Sequence, residues 1–126
     1  MGGKGAKLIN GKYEQQLWKT DEKVKRICGI KVLKRVDDSS VSLPYHSVKP
    51  ATSYISLSKK GMFKQLRVFD TDRNPVYDID YGPHAGKISL HIHYFEDGKR
   101  SDDPIMLHPG HEMYEKYRKI FVKFGL

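Results

Sequence analysis

The stretch from Val76 to Phe95, VYDIDYGPHAGKISLHIHYF, constrains the fold more than any other. Its two ends alternate with a period of two, the pattern of strands that put one face into a core. Asp78 and Asp80 fall on one face, with Tyr77, Ile79 and Tyr81 opposite. His91 and His93 likewise share a face, with Ile92 and Tyr94 behind them. GPHAGK, between the two, reads as a turn or loop. If these strands pair, two carboxylates and two imidazoles meet on one side of a sheet, and Ile79 and Ile92 enter the core.

Other segments repeat the alternation. IKVLKRV, residues 30–36, interleaves apolar and basic side chains as a half-buried strand does. SYISLS leads through Lys59, Lys60 and Gly61 into MFKQLRVFD, which reads as a hairpin, and EDGKR carries an Asp-Gly turn signal. From Lys12 to Cys28 the apolar positions Tyr13, Leu17, Val24, Ile27 and Cys28 fall near one helical face, and Gly29 is a natural helix stop. HEMYEKYRKIFVKF predicts a C-terminal helix with Met113, Tyr117, Ile120, Phe121 and Phe124 on its inner face. The expected fold class is therefore α+β. It has an N-terminal helix or helices, a central antiparallel sheet of about four or five strands, and a C-terminal helix. A length of 126 residues suits one domain, 12–126, behind a Gly/Lys-rich start, 1–11, read as flexible or as a linker.

Charge narrows the partners. The chain carries a formal net charge of +8. Between Lys4 and Arg35 there are ten basic residues against the acidic Glu14, Asp21 and Glu22. Such an excess favours a polyanionic partner, and in a domain this small nucleic acid is the expected one. No apolar run reaches the ~20 residues of a membrane-spanning helix. The N-terminus lacks the apolar centre of a signal peptide, so an export signal, if the domain is secreted, is expected outside this sequence. One cysteine, Cys28, excludes an internal disulfide and reads as a small buried hydrophobe.

The histidines and aspartates allow two chemistries. Zinc and similar ions take His and carboxylate ligands, and a His-x-His strand supplies two of them. Asp78, Asp80, His84, His108 and His111 are the further candidates. The alternative is metal-free acid–base work on RNA, which requires no cofactor. A base takes the ribose 2′-hydroxyl proton, an acid protonates the leaving 5′-oxygen, and cations hold the phosphate. Lys64 and Arg67 on the neighbouring strand are the expected phosphate ligands. Asp70 and Asp72, within DTDRNP, are turn residues, and His111 is read as a helix-entrance residue.

The run from Ser42 to Arg100 resembles the C-terminal toxin domains of bacterial polymorphic and contact-dependent-inhibition toxins. The shared pattern consists of Pro50, Thr52 and Ser53; then Lys64, Gln65, Arg67 and Asp70; then Asp78, Asp80 and His84; then His91 and His93. It departs from that pattern at Tyr94-Phe95, where an aromatic that is often Trp is typical, and in the shortness of GPHAGK. The resemblance implies a small ribonuclease of the barnase, colicin and RelE group, acting on RNA and in several members on tRNA. It implies delivery into a target-cell cytoplasm and neutralisation by a dedicated immunity protein. It places His91, His93 and His84 in proton transfer, Asp78 and Asp80 in orienting histidines, Lys64 and Arg67 on phosphate, and Thr52 or Ser53 in support. The competing expectations are a metal-dependent His/Asp nuclease, a non-catalytic nucleic-acid-binding module, and an interaction domain of a phage or secretion apparatus.

Overall fold

The computed structural model describes residues 8–9, 12–84 and 87–126. Two short strands come first, β1 (Leu8–Ile9) and β2 (Lys12–Tyr13), paired antiparallel. A 3-10 turn over Glu14–Leu17 leads to β3 (Trp18–Thr20), β4 (Arg26–Ile27) and β5 (Ile30–Arg35). After a long loop come β6 (Ser53–Leu57), β7 (Phe63–Phe69), β8 (Pro75–His84) and β9 (Lys87–Glu96). The chain ends with β10 (Lys99–Arg100), β11 (Ile105–Met106), α1 (Glu112–Lys116) and α2 (Arg118–Lys123). One nine-stranded sheet runs β10-β9-β8-β7-β6-β5-β3, with β11 also on β9 and β4 also on β5. The β5–β6 pair is parallel and the other pairs are antiparallel, so the sheet is mixed.

This corrects the expected layout of an N-terminal helix over a small antiparallel sheet. The helical spacing of Leu17, Val24 and Ile27 arises from three separate elements: Leu17 ends the 3-10 turn, Val24 lies in the connection before β4, and Ile27 is in β4, with Val24 and Ile27 packed into the main core. The Asp21 carboxylate accepts from the N–H groups of Lys23 and Val24, at 2.9 and 3.0 Å, and turns the chain where a helix would continue. Cys28 and Gly29 both have positive φ, +50° and +82°, and join Ile27 to its partner Ile30 as a two-residue hairpin turn. Gly29 is thus the second residue of a hairpin rather than a helix stop. Cys28, expected inside, is exposed at that tip. Leu8 and Ile9 are paired within the expected flexible start, and residues 1–7, 10 and 11 lie outside the described residues.

The β8–β9 hairpin is longer than the alternation suggested. Gly82, Pro83 and His84 pair with Ser89, Ile88 and Lys87, so most of GPHAGK is strand. The core row crosses five strands in register: Val32, Ile55, Leu66, Ile79 and Ile92, each fully buried. Tyr114, Ile120 and Phe121 of the C-terminal helices cover it. Those helices are two short pieces broken at Tyr117, whose hydroxyl lies 2.5 Å from that of Tyr77. Burial, and then the Tyr117 hydroxyl, push Tyr77 far above the ordinary phenol range. His111 caps α1 by accepting from Met113 N–H at 3.0 Å. Asp70 accepts from the N–H groups of Asp72 and Asn74, both at 2.9 Å, which is the turn role expected of it.

Candidate functional site

The face of β7, β8 and β9 away from the helices carries the titratable groups. Gln65, Asp80 and His91 form one cross-strand row, and Arg67, Asp78 and His93 the next. The period-2 reading places these groups together, but it leaves them on a solvated face. In the folded chain most of them are buried, Asp78 at 0 % exposed, Arg67 at 4 %, His91 at 4 % and His93 at 7 %, while Asp80 is half-buried. The loop of residues 39–49 covers much of this face. Leu43 N–H donates to Gln65 Oε1 at 2.8 Å, and Arg67 Nη1 donates to the carbonyls of Leu43 and Pro44 at 2.7 and 3.2 Å.

That loop is tied to two distant parts of the chain at Tyr45 and His46. Glu14, itself buried, accepts from the N–H groups of Tyr45 and His46 at 2.6 and 3.0 Å. The Tyr45 hydroxyl donates to the carbonyl of Gly98, in the turn between β9 and β10.

Two arginines hold the two aspartates. Arg67 is bidentate to Asp78, Nε to Oδ1 at 2.6 Å and Nη2 to Oδ2 at 2.7 Å. Arg100 bridges both carboxylates, donating from Nη1 to Asp78 at 3.1 Å and from Nη2 to Asp80 Oδ2. Gln65 donates to Asp80 Oδ1 at 3.0 Å. A buried carboxylate is tolerable only when its charge is paired and its lone pairs are filled, and both conditions are met here.

The histidines are fixed from the backbone side. His91 Nδ1 lies 3.0 Å from the Ser89 carbonyl and His93 Nδ1 2.8 Å from the Ser101 carbonyl. A carbonyl only accepts, so each Nδ1 carries a proton, and in the neutral ring Nε2 is the basic nitrogen. The rings meet edge to face with centroids 5.1 Å apart. His93 Nε2 is 3.9 Å from Asp80 Oδ2. Asp80, His91 and His93 each offer one ligand-type atom, all within 4.8 Å of one another.

The other expected site residues are engaged in other contacts or lie outside this cluster. Arg67 is spent on Asp78 and the loop, and its guanidinium also sits over the Phe95 ring at 5.3 Å. In this arrangement its guanidinium is occupied by Asp78 and the loop carbonyls. Asp78 accepts from Arg67 and Arg100. Lys64 donates to Ser40 Oγ at 2.8 Å and Val41 carbonyl at 3.3 Å. Partial burial lowers its pKa below the ordinary lysine value, and the Asp80 charge opposes that. Thr52 and Ser53 border a separate groove near β5. The side chain of His84 lies outside the described residues.

Three participants escaped the sequence reading. Arg100 lies in EDGKR, a segment that reads as a turn. An Asp-Gly hairpin returns the chain along β9 with Arg100 opposite Phe95, on the histidine face, and that signal was available. Ser101 and Glu14 act through a backbone carbonyl and a distant loop, for which no local pattern exists.

No protein-family model, curated protein or solved structure matches this chain. Among the described residues no helix is long and apolar enough to cross a membrane.

Proposed function

We propose that this domain is a ribonuclease that cleaves RNA without a metal, by attack of a ribose 2′-hydroxyl on the adjacent phosphorus. The carrying observation is the pair of histidines anchored through Nδ1 to backbone carbonyls, next to an aspartate whose charge is already balanced by Arg100. One imidazole takes the 2′-hydroxyl proton as the O2′–P bond forms. The other, protonated, gives a proton to the 5′-oxygen as the P–O5′ bond breaks. The products are a 2′,3′-cyclic phosphate and a 5′-hydroxyl end. In this reading Arg100, its side chain 30 % exposed, is the cation that meets the phosphate oxygens.

The purified protein is expected to cut single-stranded RNA or tRNA in excess chelator, to leave cyclic phosphate ends, and to spare DNA of the same sequence. Full activity in both His91→Gln and His93→Gln overturns the assignment.

The Asp80, His91 and His93 cluster favours a second reading, a metal-dependent nuclease. It conflicts with Arg100, which occupies the Asp80 oxygen nearest His93 with a positive charge. A cation would have to displace that arginine. Activity that vanishes with chelator and returns with zinc or manganese decides for the metal.

The +8 charge and the toxin-like motif support a biological setting for the first reading: a delivered antibacterial domain with an acidic immunity protein as its partner. Expression of the domain in bacteria is then toxic, His93→Gln relieves the toxicity, and toxicity that persists in the variant overturns it.

A further inference from the structure

A groove of about 490 Å3 opens on the same sheet face, over the parallel β5–β6 junction. Arg26, Lys31, Lys49, His46 and Lys19 border it, Trp18 forms part of its wall, and no carboxylate side chain lines it. Among the described residues neither the Lys31 nor the Lys49 amine has a side-chain partner. Lys19 is paired with Glu22, so the working cations are Arg26, Lys31 and Lys49.

Register connects this groove to the histidines. Arg26 pairs with Lys31, Lys31 with Tyr54, Tyr54 with Arg67, Arg67 with Asp78, and Asp78 with His93. Paired residues share a face, so one row of side chains runs from the groove, beneath the loop of residues 39–49, to the site. Four strand spacings of ~4.8 Å separate β5 from β9, or roughly 19 Å. A concave run of cations beside one indole is the chemistry that takes a single nucleic-acid strand: charge for the phosphates, a ring for a base.

We propose that this groove is an RNA-binding exosite, holding the sugar–phosphate backbone of a single strand several nucleotides from the bond cut at the histidines. Its position relative to the cut rests on the ribonuclease reading, whereas its affinity for RNA does not.

The test is binding of a labelled 12-nucleotide single-stranded RNA, followed by anisotropy and by the fluorescence of the sole tryptophan, Trp18, between 50 and 200 mM salt. The protein carries His93→Gln to prevent turnover. Each phosphate contact on a single strand contributes ~0.7 to the slope of log affinity against log salt. The Arg26→Gln/Lys31→Gln/Lys49→Gln variant is therefore expected to lose about 2 from that slope, and to weaken the RNA-dependent change in Trp18 emission. With His93 restored, KM for long RNA rises while kcat, and cleavage of a dinucleotide, stay constant. An unchanged slope, or no RNA binding at all, overturns the exosite. RNA binding through the groove with no cleavage leaves the exosite standing and removes the ribonuclease. Cleavage with an unchanged slope and KM does the reverse. Equal affinity for poly-glutamate, lost in the same variant, assigns the groove to an acidic protein and overturns the RNA proposal.

Discussion

Arg67→Met is expected to be among the most damaging single substitutions for stability, although Arg67 matches the phosphate-ligand position of the motif. The side chain makes two hydrogen bonds to Asp78 and two to the loop carbonyls. Methionine fills similar volume and makes none of them. At an effective dielectric of ~20, opposite charges ~4 Å apart attract by about 4 kcal/mol, and removing one partner of a buried pair costs about 3–5 kcal/mol. Arg100 still donates to Asp78 at 3.1 Å, so the loss should fall near the lower end, about 3 kcal/mol. That is a large share of the ~5–15 kcal/mol that a domain of this size has in total. The midpoint of thermal unfolding should fall by roughly 10–15 °C. Urea unfolding of Arg67→Met, Asp78→Asn and the double variant gives the coupling directly, and the double variant should lose less than the sum of the two. A loss below about 1 kcal/mol in Arg67→Met, accompanied by weaker RNA binding, would refute the structural assignment and return Arg67 to the phosphate.

His91→Gln and His93→Gln should each lower single-turnover cleavage by roughly 10²–10⁴, and each should remove one limb of the pH–rate profile. Arg100→Lys keeps the charge but loses the fork that spans both aspartates, so kcat/KM should fall by at least about tenfold. Cys28→Asn should raise the urea midpoint, with about 0.5–1 kcal/mol gained, because Cys28 sits at φ +50° before Gly29 and asparagine tolerates that conformation better. Below about pH 4 two turns should loosen, as read by amide exchange near Ser39 and Gly110. Glu115 is held below its ordinary 4.5 by the Gly110 N–H and then by Arg118. Asp37 is held well below its ordinary 3.8 by Arg35 and then by Ser39. Both folded values are depressed, so the stabilisation is present above the ordinary values and is lost as pH falls through the lower ones.

The hairpin at the centre of the site was legible because period-2 alternation fixes which side chains share a face. Asp78 opposite His93 and Asp80 opposite His91 follow once β8 and β9 pair. The N-terminal third was not legible in the same way. Its strands are two or three residues long outside β5, too short for alternation to show, and apolar positions from strands, a 3-10 turn and connections together imitate a helical stripe. What decides there is turn chemistry, at Asp21 and at Cys28-Gly29, which outranks periodicity over such lengths. Burial of the polar face was invisible for a different reason. It depends on Glu14 holding Tyr45 and His46 across about thirty residues of chain, a non-local anchor that no window of sequence contains.

Burial also ties stability to chemistry in this fold. Asp78 is shared by Arg67, which faces the loop, and by Arg100, which also holds Asp80 beside His93. A charge change at Asp78 therefore propagates two ways, into the loop cover and into the group that neutralises Asp80. Without Arg100, Asp80 keeps Gln65 as its side-chain donor among the described residues, and its negative charge stands uncompensated 3.9 Å from His93 Nε2. Arg100 thus has two separable effects, contact with the phosphate and neutralisation of Asp80 beside His93. An Arg100→Gln enzyme should show both a raised KM and a displaced pH–rate profile. A raised KM with the profile in place would assign Arg100 to phosphate alone.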